Sequence, residues 1–562
     1  MSSTSKARFI LRGVTVAMTF LTSTAHAAMV PEWISRLPVG SSLLAGIQDM
    51  VVDAAGVSYV TAITGPSSNT DIETAAYGPD GSLIWSHTFN GPQNWHDQSR
   101  GITLGPGGLV YVTGNTPGTG LYANVLLLSY DAATGALLNT VQYSRGPFLS
   151  EYGGSVATDG DGNVYVGGGT VGDGGDAMVL KFDPNGQLLW SRIWDGPAFA
   201  PYSQDQVEEI LVDLNGDLVA MIYGVMSSLH PDYVVIKYAA SDGATVWETN
   251  WGVSGEDSPN DMEIDGNGNV YVTGTGINFT DQFSTIKLRG SDGTLLWQAY
   301  DRAGPDDSAA AVSLDGLGGV FITGSVDPDG DLSNLNNNIY TVKRDAASGS
   351  QRWTHLYGAN CVGCYDVPTD VVADPAGNVF VSGLTSSPPY SGDMILLVLD
   401  TDTGLETDRG INSGGTNEIF GSRFLRFDPW YNLLSGSNIA NVNTGGADIA
   451  VLRYASLVGN LYQMTVTDLI GGAEATVSIG NATPDEMQYV VYSLQGLGMT
   501  PVPQLGVTLD LENPRLLVSG LADGSGSFET TVLVPSRAAG RTVWFQAAEQ
   551  GWTTPVFRQT VE

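Results

Sequence analysis

A unit of about 50 residues recurs along this chain, and that recurrence restricts the fold more than any other feature. Asp257 to Gly304 shows it well. This stretch holds the turn Asp265-Gly-Asn-Gly-Asn269, the strand Val270-Tyr-Val272, the strand Ser284-Thr-Ile-Lys287, the turn Asp292-Gly293 and the strand Leu295-Leu-Trp297. Short β-rich runs separated by Gly, Asn and Asp turns predict four antiparallel strands per unit. The second strand returns as Val57-Ser-Tyr-Val60, Leu109-Val-Tyr-Val112, Val164-Tyr-Val166, Leu218-Val-Ala220, Val320-Phe-Ile322, Val379-Phe-Val381 and, degenerate, Leu433-Leu434. With Val270 to Val272 this makes eight copies. Seven is the alternative if the degenerate copy is not a unit.

Other positions repeat in step. An Asp precedes the second strand in seven copies: Asp53, Asp159, Asp213, Asp265, Asp315, Asp374 and Asp428. The third strand ends in Lys181, Lys237, Lys287 or Lys343, with Arg453 in the last copy. A long side chain covering the sheet and pairing with an acid accounts for these cations. The fourth strand carries Trp85, Trp190, Trp247, Trp297 and Trp353, each four residues after a turn Gly; Asn139 and Asp408 stand there in copies two and seven. The last copy lacks a fourth strand, while Trp33-Ile-Ser-Arg36 near the start matches Trp190-Ser-Arg192. The N-terminal strand is therefore expected to complete the last unit and close a ring, with Trp33 docking like the other five tryptophans.

These units resemble bacterial β-propeller repeats of the SBBP type. Through turn-Gly-x-x-x-Trp they also resemble the tryptophan-docked repeats of quinoprotein-like propellers. The resemblance covers roughly residues 29 to 456 and implies an all-β, eight-bladed propeller, while leaving function open because propellers host unrelated activities.

The expected organisation is a signal peptide at 1–27, the propeller at 28–456 and a C-terminal domain at 457–562. Lys6, Arg8 and Arg12, the apolar run Val14 to Leu21, and Ala25-His-Ala27 form a Sec-type leader cleaved after Ala27. The destination is periplasmic, cell-surface or secreted. From Tyr462 to Thr560 the period stops, and seven or eight alternating runs predict an immunoglobulin-like β-sandwich. No Cys-Trp-Cys pattern accompanies it.

The chain carries 59 Asp and Glu against 23 Lys and Arg, a net charge of −36. Loss of the basic leader makes it more acidic still. Such a surface repels nucleic acid and anionic lipid. No run after the leader is apolar enough for a membrane span, and a monomer is expected.

The motifs that carry chemistry elsewhere fail here. Gly167-Gly-Gly-Thr-Val-Gly172 fits the dinucleotide fingerprint, but no helix pattern follows it. Asp159-Gly-Asp-Gly-Asn163 and Asp327-Pro-Asp-Gly-Asp331 begin like calcium loops but lack the Gly at position six and the Glu at position twelve. Turn chemistry explains them, and calcium in another geometry is allowed. Cys361 and Cys364 are expected to form a local disulfide. Quinoprotein dehydrogenases carry adjacent cysteines, which this chain lacks. No catalytic residues and no cofactor are expected. Asp97, Glu151, Asp205, Asp257, Asp307 and Asp366 open the first strand in six copies. They either ring one mouth of the central channel, as a site for cations or a basic ligand, or satisfy backbone N–H groups where units join.

The expected function is that of an exported, non-catalytic binding or scaffold propeller. Its partner would be a protein, glycan or small ligand at one face. The alternative is an oxidoreductase related to the pyrroloquinoline quinone enzymes, or a degenerate relative. A carbohydrate-active enzyme would need paired carboxylates in a pocket.

Overall fold

The computed structural model describes residues 29–561 except 41–45, 119–121, 147, 172–174, 198–204, 228–229, 254, 278–280, 305–306, 328–336, 359–364, 388–390, 414–417, 442–446, 456–462, 468, 481, 483–485, 496, 503, 506, 512, 524–526, 550–551 and 554–556. The leader, the cysteine pair Cys361 and Cys364, and the link at 457–460 lie outside the described residues.

Up to Tyr454 the strands form eight four-stranded antiparallel sheets. Seven of them take their strands in simple sequence order. The first sheet runs Gly46–Val52, Ser58–Thr64, Asp71–Tyr77 and Leu83–Phe89. The last is built from Glu418–Phe427, Leu433–Asn441 and Ala447–Tyr454, and its fourth place is taken by Trp33–Gly40 from the other end of the chain. Trp33 lies opposite Arg453, Ser35 opposite Val451 and Leu37 opposite Ile449. The innermost strands touch in sequence order around a full circle, with Glu418–Phe427 returning to Gly46–Val52. The architecture is a β-propeller closed by its N-terminal strand. Closure leaves no open sheet edge where the chain enters and leaves the ring.

The repeated residues bind neighbouring sheets together. Trp297 is 9% exposed, and its Nε1 donates to the Ala346 carbonyl of the next sheet at 3.0 Å. Trp85, Trp190, Trp247 and Trp353 make the same bond to Ala132, Ala240, Gly290 and Thr401. Trp33 makes it to Pro79, from the last sheet to the first. Each ring rests on the turn Gly of the sheet it enters. Gly349 has φ +71°, and a Cβ there would lie 2.8 Å from the Trp297 ring. Gly-x-x-x-Trp is therefore a two-ended clasp: the Gly receives one neighbour's indole, and the Trp enters the other neighbour. Where copy two has Asn139, the amide donates to the Asn185 carbonyl instead.

The lysines complete the same joint. Lys287 Nζ donates to the Ala346 carbonyl that Trp297 also uses and lies 3.5 Å from Asp265 of its own sheet. Lys181, Lys237 and Lys343 repeat the arrangement with Asp159, Asp213 and Asp315. Asp159 also closes the turn of its calcium-like loop, its Oδ1 accepting from the N–H groups of Asp161 and Asn163; residues 328–331 of the other such loop lie outside the described residues. The fingerprint glycines Gly167 to Gly169 lie within the strand Val164–Val171. A Cβ on Gly168 would fall 1.9 Å from the Tyr152 carbonyl oxygen, so close strand approach is what requires glycine there.

Beyond the ring, the described strands form a three-stranded sheet, a five-stranded sheet and a two-stranded ribbon. Met464, Val477 and Ile479 of the first share one apolar core with Val490, Phe545 and Ala547 of the second. Alternating runs read in the sequence match the strands Gln463–Thr467, Glu474–Gly480, Met487–Ser493 and Thr542–Glu549.

Candidate functional site: the axial channel and the junction face

In each sheet, the turn between first and second strands and the turn between third and fourth lie at one end. The connections between second and third strands, and from one sheet to the next, lie at the other. The first end is regular because it holds the Asp turns and the Gly-x-x-x-Trp clasps. The second end varies, from Ser227–His230 to Val326–Asn338.

The six repeated acids lie at this second end, five immediately before their first strands and Glu151 as the second residue of Ser150–Thr158. Asp97, Glu151, Asp257, Asp307 and Asp366 have no exposed surface, and Asp205 has 2%. Five accept backbone N–H groups from the incoming loop: Asp97 from Gly91, Glu151 from Arg145 at 2.8 Å, Asp205 from Gly196 at 2.8 Å, Asp257 from Val253, and Asp307 from Ala303 and Gly304. Asp366 accepts from the Thr385 hydroxyl. Burial raises the carboxyl pKa of Asp97, Glu151, Asp205 and Asp307, and the backbone donors oppose it. In this arrangement the acids fix the junction loops.

A second set of charges, four residues further along the first strand, faces the axis. Asp49, Glu209, Asp261 and Asp370 each follow the bulge in the innermost strand of their sheets. Each also accepts from the innermost strand of the next sheet: Asp49 from Ile102 at 3.0 Å, Glu209 from Met262 at 2.9 Å, Asp261 from Val312 at 2.6 Å and Asp370 from Leu425 at 2.8 Å. Arg426 of the last sheet lies 3.1 Å from Asp370 and 3.8 Å from Asp49, bridging its two neighbours across the closure. It also acts on Glu209, on the opposite side of the ring. Glu263, two residues beyond Asp261, joins the group.

Burial is the main cause that raises the pKa of all five carboxyls, and the Arg426 guanidinium opposes it. Glu263 is raised to about 7. The Arg426 side chain keeps 40% of its surface exposed, so water reaches it and partly screens these charges. Among the described residues no three His, Cys, Asp or Glu side chains come close enough to hold a metal ion. Among the same residues, no helix is long and apolar enough to cross a membrane.

Sequence reasoning placed acids at the junction column and missed the axial one. The signal was present: Asp205, Asp257 and Asp366 are each followed four residues later by another acid, Glu209, Asp261 and Asp370. Asp49 and Arg426 have no such companion and could be found only in three dimensions.

On the junction face, at the second sheet and the connections that enter and leave it, lies a cleft of about 380 Å³ lined by Gln93, Tyr122, Asn124, Gln142 and Arg145 among others. None of its lining residues belongs to the repeated columns.

The chain matches the family described as outer membrane protein assembly factor BamB over residues 123–358 and 175–413, together just over half its length. No curated protein sequence matches it. Among solved structures, the quinohemoprotein alcohol dehydrogenase from Comamonas testosteroni is similar over 75% of this chain and 76% of its own, at 11% identity and a TM-score of 0.47. Sqt1 from Chaetomium thermophilum is similar over 74% and 99%, at 13% identity and a TM-score of 0.48. The WD40 domain of SCAP from fission yeast is similar over 75% and 98%, at 10% identity and a TM-score of 0.44.

Proposed function

The chain belongs to the family described as outer membrane protein assembly factor BamB, and on that premise we propose that it is an exported, non-catalytic propeller that binds a partner at its junction face. The carrying observation is how the repeated polar residues are used. The turn acids, the third-strand lysines and the junction acids each bond groups of the fold itself, with one buried oxygen of Asp97, of Glu151 and of Asp307 left without a partner among the described residues. Chemistry directed at a partner then falls to residues that do not repeat, and these gather on the face whose loops differ. A family description that speaks of assembly accords with binding rather than turnover. The leader at 1–27 supports export. The shared core of the last strands supports a separate sandwich domain at 457–562, of immunoglobulin-like type, acting as a spacer. The units are read as SBBP-type repeats, and Cys361 with Cys364 as a disulfide.

The oxidoreductase alternative has a fit test. Pyrroloquinoline quinone is a planar tricarboxylic acid. The axial channel would meet its three carboxylates with five carboxyl groups, Asp49, Glu209, Asp261, Glu263 and Asp370, and one guanidinium, Arg426, already paired with Asp370. The quinone does not fit there.

Reconstitution tests the reading. The mature chain is mixed with pyrroloquinoline quinone and calcium, dialysed, scanned for quinone absorbance and assayed for dye-linked alcohol oxidation. The expected result is no retained quinone and no turnover. Retained quinone with turnover would establish the oxidoreductase instead.

A further inference from the structure

We propose that the junction-face cleft at the second sheet is a binding site for a neutral oligosaccharide. This rests on the binding reading above and names its ligand. The cleft's volume of about 380 Å³ falls at the small end of ligand pockets, which run to roughly 300–1,000 Å³.

Two aromatic rings stand at or beside it and remain open to solvent: Tyr122, in its lining, is 36% exposed, and Phe148, against Tyr122, 75%. Tyr122 and Phe148 meet edge to face, with centroids 6.0 Å apart. Rings that are apolar on their faces and wet at their edges suit a ligand with the same duality. A pyranose has it: one face of C–H bonds and a rim of hydroxyls.

The polar groups agree. Asn124 Nδ2 donates to Gln142 Oε1 at 3.2 Å. An amide pair joined once leaves a carbonyl on one partner and an N–H group on the other. Together these match a hydroxyl that both donates and accepts. Among the described residues the cleft lining contains no carboxylate. Its cation, Arg145, is paired with Asp176 at 3.0 Å. The site is thus close to neutral inside a chain of net charge −36, and that chain repels acidic polymers. A neutral sugar meets neither obstacle.

The wall is also held in place. Glu151 accepts the Arg145 backbone N–H, and Ser144 Oγ donates to the Gly146 carbonyl. A Cβ on Gly118 would lie 2.5 Å from Asn124 Oδ1, so the absence of a side chain at 118 gives the Asn124 amide its position.

Isothermal titration of the full mature chain with cellotriose, maltotriose and triacetylchitotriose tests the proposal. At least one should bind saturably at one site, while trigalacturonate should not. Tyr122→Ala and Gln142→Ala should each weaken binding at least about tenfold and leave the melting temperature unchanged. Gly118→Ala, which displaces Asn124 while keeping every lining side chain, should weaken it as well. If none of the three sugars binds, or if binding survives both alanine substitutions, the proposal is overturned. A failure here without quinone-dependent turnover removes the sugar and leaves the binding reading standing; turnover in the reconstitution assay removes both.

Discussion

Glu263 shows how far one residue's environment sets its chemistry. On an open surface its carboxyl would titrate near ~4.3. In the channel, burial lifts it to about 7, with Arg426 opposing and Asp370 adding to the rise. The folded chain keeps a proton that the unfolded chain releases between those values. The stability linked to it is present below about pH 4.5 and is lost as pH rises toward about 7. The melting temperature should therefore fall across that window, and Glu263→Gln, uncharged at every pH, should make the step smaller, the other raised carboxyls of the channel supplying the rest. Identical pH profiles for the two proteins would show that Glu263 is not the titrating group. Trp297 makes the opposite case, a residue whose role is packing. Its ring fills the joint between two sheets, and Trp297→Ala should cost about 3–5 kcal/mol in denaturant unfolding, as for other large core aromatics. A neutral substitution would remove the clasp from the account.

At the scale of the element, the clasp predicts that its two ends fail alike. Gly349→Ala would place a Cβ against the Trp297 ring at a positive φ, so it should destabilise the same joint. The double change Gly349→Ala with Trp297→Ala should then be far from additive, because both remove one contact. Additive losses would mean that the Gly and the indole stabilise the chain separately. The clasp was legible in the sequence because Gly-x-x-x-Trp recurs at fixed spacing. What could not be read is that the Gly serves the preceding sheet's tryptophan and not its own. That fact belongs to the ring and not to the repeat. The same holds for charge. The junction acids stand out because they share a column, whereas Arg426, Tyr122 and Gln142 occur once each and carry no period. A repeat reveals what every copy needs; what one copy alone contributes is visible only after the copies are placed side by side. In the exported protein, Cys361 and Cys364 should be joined to each other. Mass spectrometry of unreduced peptides would show the loss of two hydrogens, and two free thiols would exclude the bond.

At the scale of the whole molecule, everything else depends on closure. Arg426 meets Asp49, and Trp33 meets Pro79, only because the last sheet returns to the first. The sequence pointed to this through a missing fourth strand at one end and an orphan Trp33-Ile-Ser-Arg36 at the other. The structure pairs Trp33 with Arg453 and extends the ladder to Asp448. Without that strand, Ala447–Tyr454 would present a bare edge able to pair with another chain. Removal of residues 28–38 tests the closed ring most directly, by thermal melting and size-exclusion chromatography of the mature and truncated proteins side by side. The account predicts a lower melting temperature with dimers or aggregates for the truncated chain; a truncated chain as stable and as monomeric as the full one would contradict it.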